Sequence, residues 1–209
     1  METPDTFTMK FQNIPLINLR IEFDKTYAFI YSAEAEACLK PSIKAIQTPM
    51  LIWRGMPEDL MTLLLQRAVL GIEAYLHGAL LHTSAILGNI SAELVTKLKN
   101  PFSFGSKSAV ANIYHNMPAA VHEELSLKHF DGELYKSTVT FYRLVRNPIF
   151  HGNQLDQPEI SSIRKAFSHL ARLYEWIDYW YNPEKLIKGG GKFAGVRSRY
   201  PSSQVKDAS

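Results

Sequence analysis

The chain has 209 residues, of which 46% are hydrophobic and 21% are charged, and this composition is typical of a soluble globular protein. One domain of this length can bury a substantial core, and the formal net charge of +3 is compatible with an RNA partner without requiring one. The single cysteine, Cys38, excludes an intramolecular disulfide bond and favours a reducing compartment. Because the first residues lack a basic segment followed by an apolar run, we expect a cytoplasmic protein without a membrane partner.

Residues 1–56 are predicted to form an N-terminal extension or flap packed on the rest of the domain. Residues 19–23 alternate apolar and polar side chains, as a half-buried strand does, and residues 27–31 offer a partner strand across a short turn. The run from 32 to 40 is rich in Ala and Glu and favours helix. Two interpretations remain open, a small β-hairpin followed by a helix or helix throughout, and we favour the hairpin.

Residues 57–86 are predicted to form the longest helix. Pro57 suits the first helical position, and the acidic pair Glu58 and Asp59 suits the positive end of the helix dipole. Apolar residues cover most of its circumference, which is typical of the central helix of a bundle. Gly71 and Gly78, with Ala74 between them, would let another helix approach closely.

A polar line interrupts this apolar helix. Gln66, Glu73 and His77 follow one another at spacings of seven and four beside Leu70. One interpretation is a partly solvated or internally hydrogen-bonded stripe. The other is that Glu73 or Gln66 supports a functional site on a neighbouring helix. A carboxylate inside a bundle needs a cationic partner, and the candidates are Arg146, Arg143 and Arg67.

Residues 88–130 are predicted to be shorter pieces. A short helix ends before Asn100, another spans about 107 to 116, and Pro118 opens a third. The histidines at 115, 122 and 129 recur every seven residues, but the proline interrupts the register between the first two. We therefore predict no metal site, and no other motif indicates a cofactor.

The densest group of chemically useful side chains lies between 143 and 153, at the end of a helix predicted over 131–146. Its apolar spacing is given by Leu134, Phe141, Leu144 and Val145. Pro148 lacks an N–H and disfavours the α region for Asn147, so a break or sharp kink is expected there, with one more turn to His151. On a straight helix Arg146 and His151 would point to different faces, whereas a kink could bring them together.

The last long helix is predicted to start at residues 156–158 and to end before Pro183. Its apolar residues follow alternating spacings of three and four, which is typical of a seam in bundle packing, and three further residues widen that face enough to serve a dimer interface as well as a core. The seam consists of Ile160, Ile163, Phe167, Leu170, Tyr174, Ile177 and Tyr181, widened by Leu173, Trp176 and Trp180. The bundle is thus predicted over 57–182, and residues 183–209 read as a flexible basic tail.

The order Arg146, Asn147, three residues and His151 resembles the Arg-Asn-x-x-x-His form of the motif of HEPN domains. The motif covers about six residues, and the helical pattern extends a weaker resemblance over roughly residues 57–182. The resemblance implies a mainly α, up-and-down helical bundle. It also implies a metal-independent endoribonuclease that works as a homodimer, with the paired motifs forming one composite active site and products carrying a 2′,3′-cyclic phosphate.

The residue types fit that chemistry. An imidazole can take or give a proton near neutral pH, and an arginine offers a fixed charge and a planar fork for phosphate oxygens. We expect Arg146, His151 and Asn147 as the catalytic group, with Arg143, Glu73 and Asn153 in support or in contact with RNA. The expected role lies in defence, stress response or RNA processing, in the manner of a toxin. The alternative is a non-catalytic HEPN-like module that binds RNA or protein.

One position departs from the family. HEPN toxins that are paired with nucleotidyltransferase antitoxins typically carry a tyrosine two residues after the histidine, and its modification silences the enzyme. Here Asn153 stands at that position. The resemblance therefore does not extend to that form of regulation, and no particular antitoxin or regulatory protein is predicted.

Overall fold

The computed structural model describes residues 16–35, 56–151 and 160–181. All regular secondary structure in these three ranges is helical, which confirms the predicted mainly α fold. The helices are α1 (Leu16–Ile30), α2 (Met56–Ile86), α3 (Ala92–Lys99), α4 (Ala109–Ala111, a π-helical segment Asn112–Asn116, and Met117–Val121), α5 (Leu127–Phe130), α6 (Gly132–Phe141, a π-helical segment Tyr142–Arg146, and Asn147–Phe150) and α7 (Ile160–Trp180). Short 3₁₀ turns occupy Pro101–Phe104 and Glu123–Leu125.

Helix α2 is the centre of the bundle, as its apolar circumference predicts. It packs against α1 and α7 along its length and meets the last segments of α4 and α6. Ile72, Leu76 and Leu80 are completely buried. The predicted close approach is made by α1, because a Cβ added at Gly78 would lie only 2.5 Å from a methyl carbon of Leu16.

The predicted hairpin over 19–31 is wrong, and the alternative of helix is correct for residues 16–30. Arg20, Phe23 and Ile30 are all buried. Together with the half-buried Tyr27 they recur at spacings of three and four, which is the period of a helix. The alternation over 19–23 misled because one of the core positions is filled by a charged residue.

Helix α7 carries the predicted seam. Its buried residues include the seam and the widening aromatic positions, and the seam residues at the two ends, Ile160 and Tyr181, are half-buried. Trp176 and Trp180 belong to the core, so the wide apolar face is used within this chain. The predicted start at 156–158 lies outside the described residues.

Two prolines lie inside helices where breaks were expected. Pro118 does not open a helix and Pro148 does not break one, since the helical backbone continues through both prolines and each follows a π-helical segment by two residues. Asn147 is α-helical, with φ −64° and ψ −46°, and its N–H bonds to the carbonyl of Tyr142 five residues back. The ring of a proline clashes with the carbonyl four residues earlier in a regular helix, and the extra residue of a π turn shifts those carbonyls.

One residue of the predicted apolar face of α6 is exposed. Leu144 was placed on the buried side of its helix, yet 59% of it is exposed, whereas Leu134 and Phe141 are buried as expected. None of the described helices is long and apolar enough to cross a membrane. The tail over 183–209 and most of the extension over 1–56 lie outside the described residues, so their boundaries stay predictions.

Candidate functional site

The side chain of Arg146 lies in the groove between α6 and α2, at the end of the π-helical segment. Its Nε lies 3.4 Å from Oε1 of Glu73, and 23% of the side chain is exposed. The guanidinium stands over two rings of its own helix, 5.4 Å from the centre of Tyr142 and 4.5 Å from that of Phe150. These contacts fix the direction of the guanidinium. Among the described residues, no hydrogen bond engages Nη1 or Nη2.

Two buried tyrosine hydroxyls link the Glu73 carboxylate to the interior of the bundle. The hydroxyl of Tyr142 donates to Glu73 Oε1 at 2.5 Å, and the Tyr142 and Tyr114 hydroxyls are 3.2 Å apart. Burial raises the pKa of Tyr142 and of Tyr114 well above its usual range, so both hydroxyls keep their protons. Glu73 is therefore paired with Arg146, one of its three candidate partners, and this hydrogen-bonded pair fits both interpretations of the polar line.

Gln66 performs a different task on the same face of α2. Its amide Nε2 donates to the main-chain carbonyl of Ile149 at 2.7 Å. This bond ties the last turn of α6 to the central helix, since that carbonyl lies near the helix end and lacks a regular partner. Gln66 thus positions the backbone next to His151, and its amide forms no hydrogen bond with Arg146.

His151 ends the helix on the outside of the molecule. Its N–H is shared between the carbonyls of Asn147 and Pro148, and its side chain is exposed. Within the described chain the imidazole has no hydrogen bond, ion pair or ring contact. The helix continues through Pro148 to Phe150, and the five-residue step from Arg146 to His151 differs from the spacing of three or four that places side chains on one face of a helix.

The exposed residues of the motif form a second group. Arg143, Asn147 and His151 are all exposed and follow one another at spacings of four. Side chains at this spacing lie on one face of a helix. The site therefore consists of an exposed line on α6 and, beside it, the Arg146 guanidinium braced by Glu73. Asn153 lies outside the described residues.

Tyr142, Tyr114 and Phe150 were not predicted as part of the site. Tyr142 and Phe150 stand four residues before and after Arg146, and that spacing was visible in the sequence. Tyr114 could not have been found in this way, because its link to Tyr142 joins α4 to α6 across 28 residues.

The histidines at seven-residue spacing meet only in part. The rings of His115 and His129 are 5.4 Å apart, and Nδ1 of His115 lies 2.7 Å from the buried hydroxyl of Ser126. Burial and the nearby charge of Lys128 lower the pKa of His115. No group of three or more His, Cys, Asp or Glu residues within 16–35, 56–151 and 160–181 could hold a metal ion.

Comparison with known proteins gives no relative from which a role could be transferred. No protein-family model, no curated protein and no solved structure matches the chain.

Proposed function

We propose that the protein is a metal-independent endoribonuclease of HEPN type, acting through Arg146 and His151. The proposal rests on the hydrogen bonding of the Arg146 guanidinium. Glu73 takes up its Nε, whereas the two terminal nitrogens have no hydrogen-bond partner among the described residues. A guanidinium fixed in direction with open terminal N–H groups is suited to the non-bridging oxygens of a phosphate.

The remaining groups fit the other steps of RNA cleavage. The 2′-oxygen of RNA attacks the adjacent phosphorus, the bond to the 5′-oxygen breaks, and a 2′,3′-cyclic phosphate remains. The exposed imidazole of His151 would take the proton of the 2′-hydroxyl or give one to the leaving 5′-oxygen. Arg143 and Asn147 lie on the same exposed line and would bind neighbouring phosphates or bases.

A second copy of the chain would complete the site. No hydrogen bond, ion pair or ring contact joins Arg146 and His151 within the described chain, and a five-residue spacing does not place two side chains on one face of a helix. In a homodimer, as the resemblance implies, His151 of one copy would meet the phosphate held by Arg146 of the other. Leu144 is exposed beside Arg143, and a partner could cover it.

The test is cleavage of a mixed RNA substrate in the presence of EDTA, with analysis of the product ends. We expect cyclic phosphate ends, and we expect Arg146→Ala and His151→Ala each to reduce the rate by roughly 10²- to 10⁴-fold. Matched controls are Arg172→Ala and His129→Ala, which remove exposed residues of the same types outside the motif. Cleavage that is equal in all five proteins would refute the proposal.

A second candidate is a helical module that binds RNA or protein without cutting. It is favoured by the ion pair of Arg146 with Glu73 and by the lack of a hydrogen bond or ring contact between Arg146 and His151 within the described chain. In that case the purified protein binds RNA or a partner, Arg146→Ala weakens binding, and no cyclic ends form at any protein concentration.

A further inference from the structure

A pocket of about 170 Å³ lies between α1 and α2, away from the candidate site. It exists because α2 presents small residues, Ala68, Gly71 and Ala74, where α1 crosses it. Helix α1 contributes Leu19 and Phe23 to the opposite wall. The two helices therefore touch at Gly78 and Leu16 but leave space further along.

Tyr174 of α7 closes the pocket on its inner side. Its side chain is completely buried, and its hydroxyl has no hydrogen-bond partner among the residues that the structure describes. The hydroxyl faces Gly71, since a Cβ added to that glycine would lie 3.5 Å from it. Burial raises the pKa of Tyr174 above its usual range, so the group remains a hydrogen-bond donor. A buried donor without an acceptor is costly, and a bound molecule would remove that cost.

The charged residues of the lining satisfy each other. Arg67 donates from Nε and Nη2 to the two carboxylate oxygens of Glu22, at 2.7 and 3.1 Å. Both are exposed to solvent at the mouth of the pocket. A charged ligand would have to break this pair, whereas a neutral one would leave it intact.

From this geometry we propose that the pocket binds a small neutral molecule with an apolar, single-ring-sized body and one hydrogen-bond acceptor that receives the Tyr174 hydroxyl. The size follows from the volume, because an apolar cavity of about 150 Å³ accommodates a benzene-sized molecule. The single acceptor follows from the single unpartnered donor, and the neutrality follows from the closed ion pair at the mouth.

The pocket is separate from the candidate site. Gln66 and Glu73 face α6, whereas Arg67, Gly71 and Ala74 line the pocket next to α1. The proposal therefore does not depend on nuclease activity, and a ligand would occupy the pocket whether or not the protein cleaves RNA.

The test compares two probes of nearly the same shape by ¹⁵N NMR titration of the full chain. Acetophenone carries a carbonyl acceptor, and ethylbenzene does not. We expect saturable shifts at the amides of Gly71 and Ala74, and about five- to tenfold tighter binding of acetophenone than of ethylbenzene. In Tyr174→Phe, which removes a hydroxyl that has no partner within the described ranges, the two affinities should become equal.

A second variant checks the location. Gly71→Ala places a methyl group beside the Tyr174 hydroxyl without a clash and should weaken both probes. The matched change Gly132→Ala, where an added Cβ meets nothing within 4 Å, should leave both affinities unchanged. The proposal is overturned if neither probe saturates, if Tyr174→Phe keeps the preference for acetophenone, or if Gly71→Ala binds both probes as wild type does.

Discussion

The molecule contains two clusters in which an arginine and a tyrosine bond to a carboxylate, and the two clusters differ in burial. In the closed cluster, Arg20 of α1 donates through Nε and Nη2 to Asp178 of α7 at 3.1 and 3.0 Å, and through Nη1 to Asp24 at 2.7 Å. Tyr75 of α2 donates to the other oxygen of Asp178 at 3.0 Å. Only 3% of the Arg20 side chain is exposed.

The open cluster consists of Arg146, Glu73 and Tyr142. Here Tyr142 also donates to the carboxylate, but Arg146 contributes a single long bond from Nε, and about a fifth of the pair is exposed. In the closed cluster, all three guanidinium nitrogens bond to the protein. The comparison teaches that an arginine saturated by the fold joins helices, whereas one left with open N–H groups near the surface is available to a ligand.

The largest effect is expected from breaking the closed cluster. Asp178→Ala removes the carboxylate that accepts two bonds from the buried Arg20 guanidinium, and removal of one partner of a buried pair costs about 3–5 kcal/mol. Urea denaturation should show this loss in the free energy of unfolding, against little change for Glu133→Ala on the surface. A cost similar to that of the control would mean that Arg20 finds water or another partner, and that the cluster does not hold α1 in place.

The effect of burial on a titratable group that forms no ion pair within the described part of the chain can be tested at His169. Its ring stacks on Phe141 at 4.8 Å, and its Nε2 lies 3.2 Å from the Thr138 hydroxyl, which itself donates to the Leu134 carbonyl. Burial, together with the charge of Arg172, lowers the pKa of His169 to about 4.

Because the pKa of His169 is lower in the folded chain than in the unfolded chain, its contribution to stability depends on pH. The unfolded chain takes up this proton near pH 6.5 and the folded chain only near pH 4, so the contribution is fully present above pH 6.5 and is lost as the pH falls toward 4. The loss should reach about 3 kcal/mol. His169→Phe should flatten the dependence of unfolding free energy on pH in this window, and His129→Phe on the surface should not. An unchanged slope in His169→Phe would show that carboxylates alone cause it.

The sequence predicts the parts of the fold that depend on local apolar spacing. Helices α2 and α7 have long runs of such spacing, and most of their apolar residues are buried as expected, although Leu63 and Leu70 of α2 are exposed. Helix α1 was missed because Arg20 stands at a core position, and its partner Asp178 lies 158 residues away. A local pattern cannot show that a charge is neutralised from such a distance.

The sequence indicated which residues form the candidate site, but it did not indicate how the helix that carries them is built. Arg146 with Glu73 was among the pairings considered from the sequence. The continuation of α6 through Pro148 was not predicted, because Asn147 followed by a proline favours a helix break. The π turn that prevents this break starts six residues before Pro148, at Tyr142. The contact of Tyr142 with Tyr114 requires the tertiary fold.

A smaller effect is expected when the open cluster loses its carboxylate. Glu73→Gln keeps an acceptor for Tyr142 but releases Arg146, so we expect about 1 kcal/mol of lost stability and roughly tenfold slower RNA cleavage. RNA binding should become tighter, since one negative charge beside the guanidinium is gone. Glu133→Gln makes the same change of charge away from the motif and should leave the cleavage rate unchanged. If the two variants behave alike, Glu73 does not position Arg146.

The smallest effect on stability is expected at a third arginine, Arg67, whose ion pair has regular hydrogen-bond geometry but is little buried. Arg67 and Glu22 form the most regular of the three pairs, with two parallel bonds, yet 67% of the Arg67 side chain is exposed. Exposed pairs gain little because water and salt screen the charges and the side chains lose freedom. Arg67→Ala should therefore leave the urea midpoint within replicate error at low and at high salt, whereas Arg20→Ala should shift it strongly. If Arg67→Ala destabilised the protein as much as Arg20→Ala does, bond geometry and not burial would decide what an arginine contributes, and the distinction between the closed and the open cluster would fail.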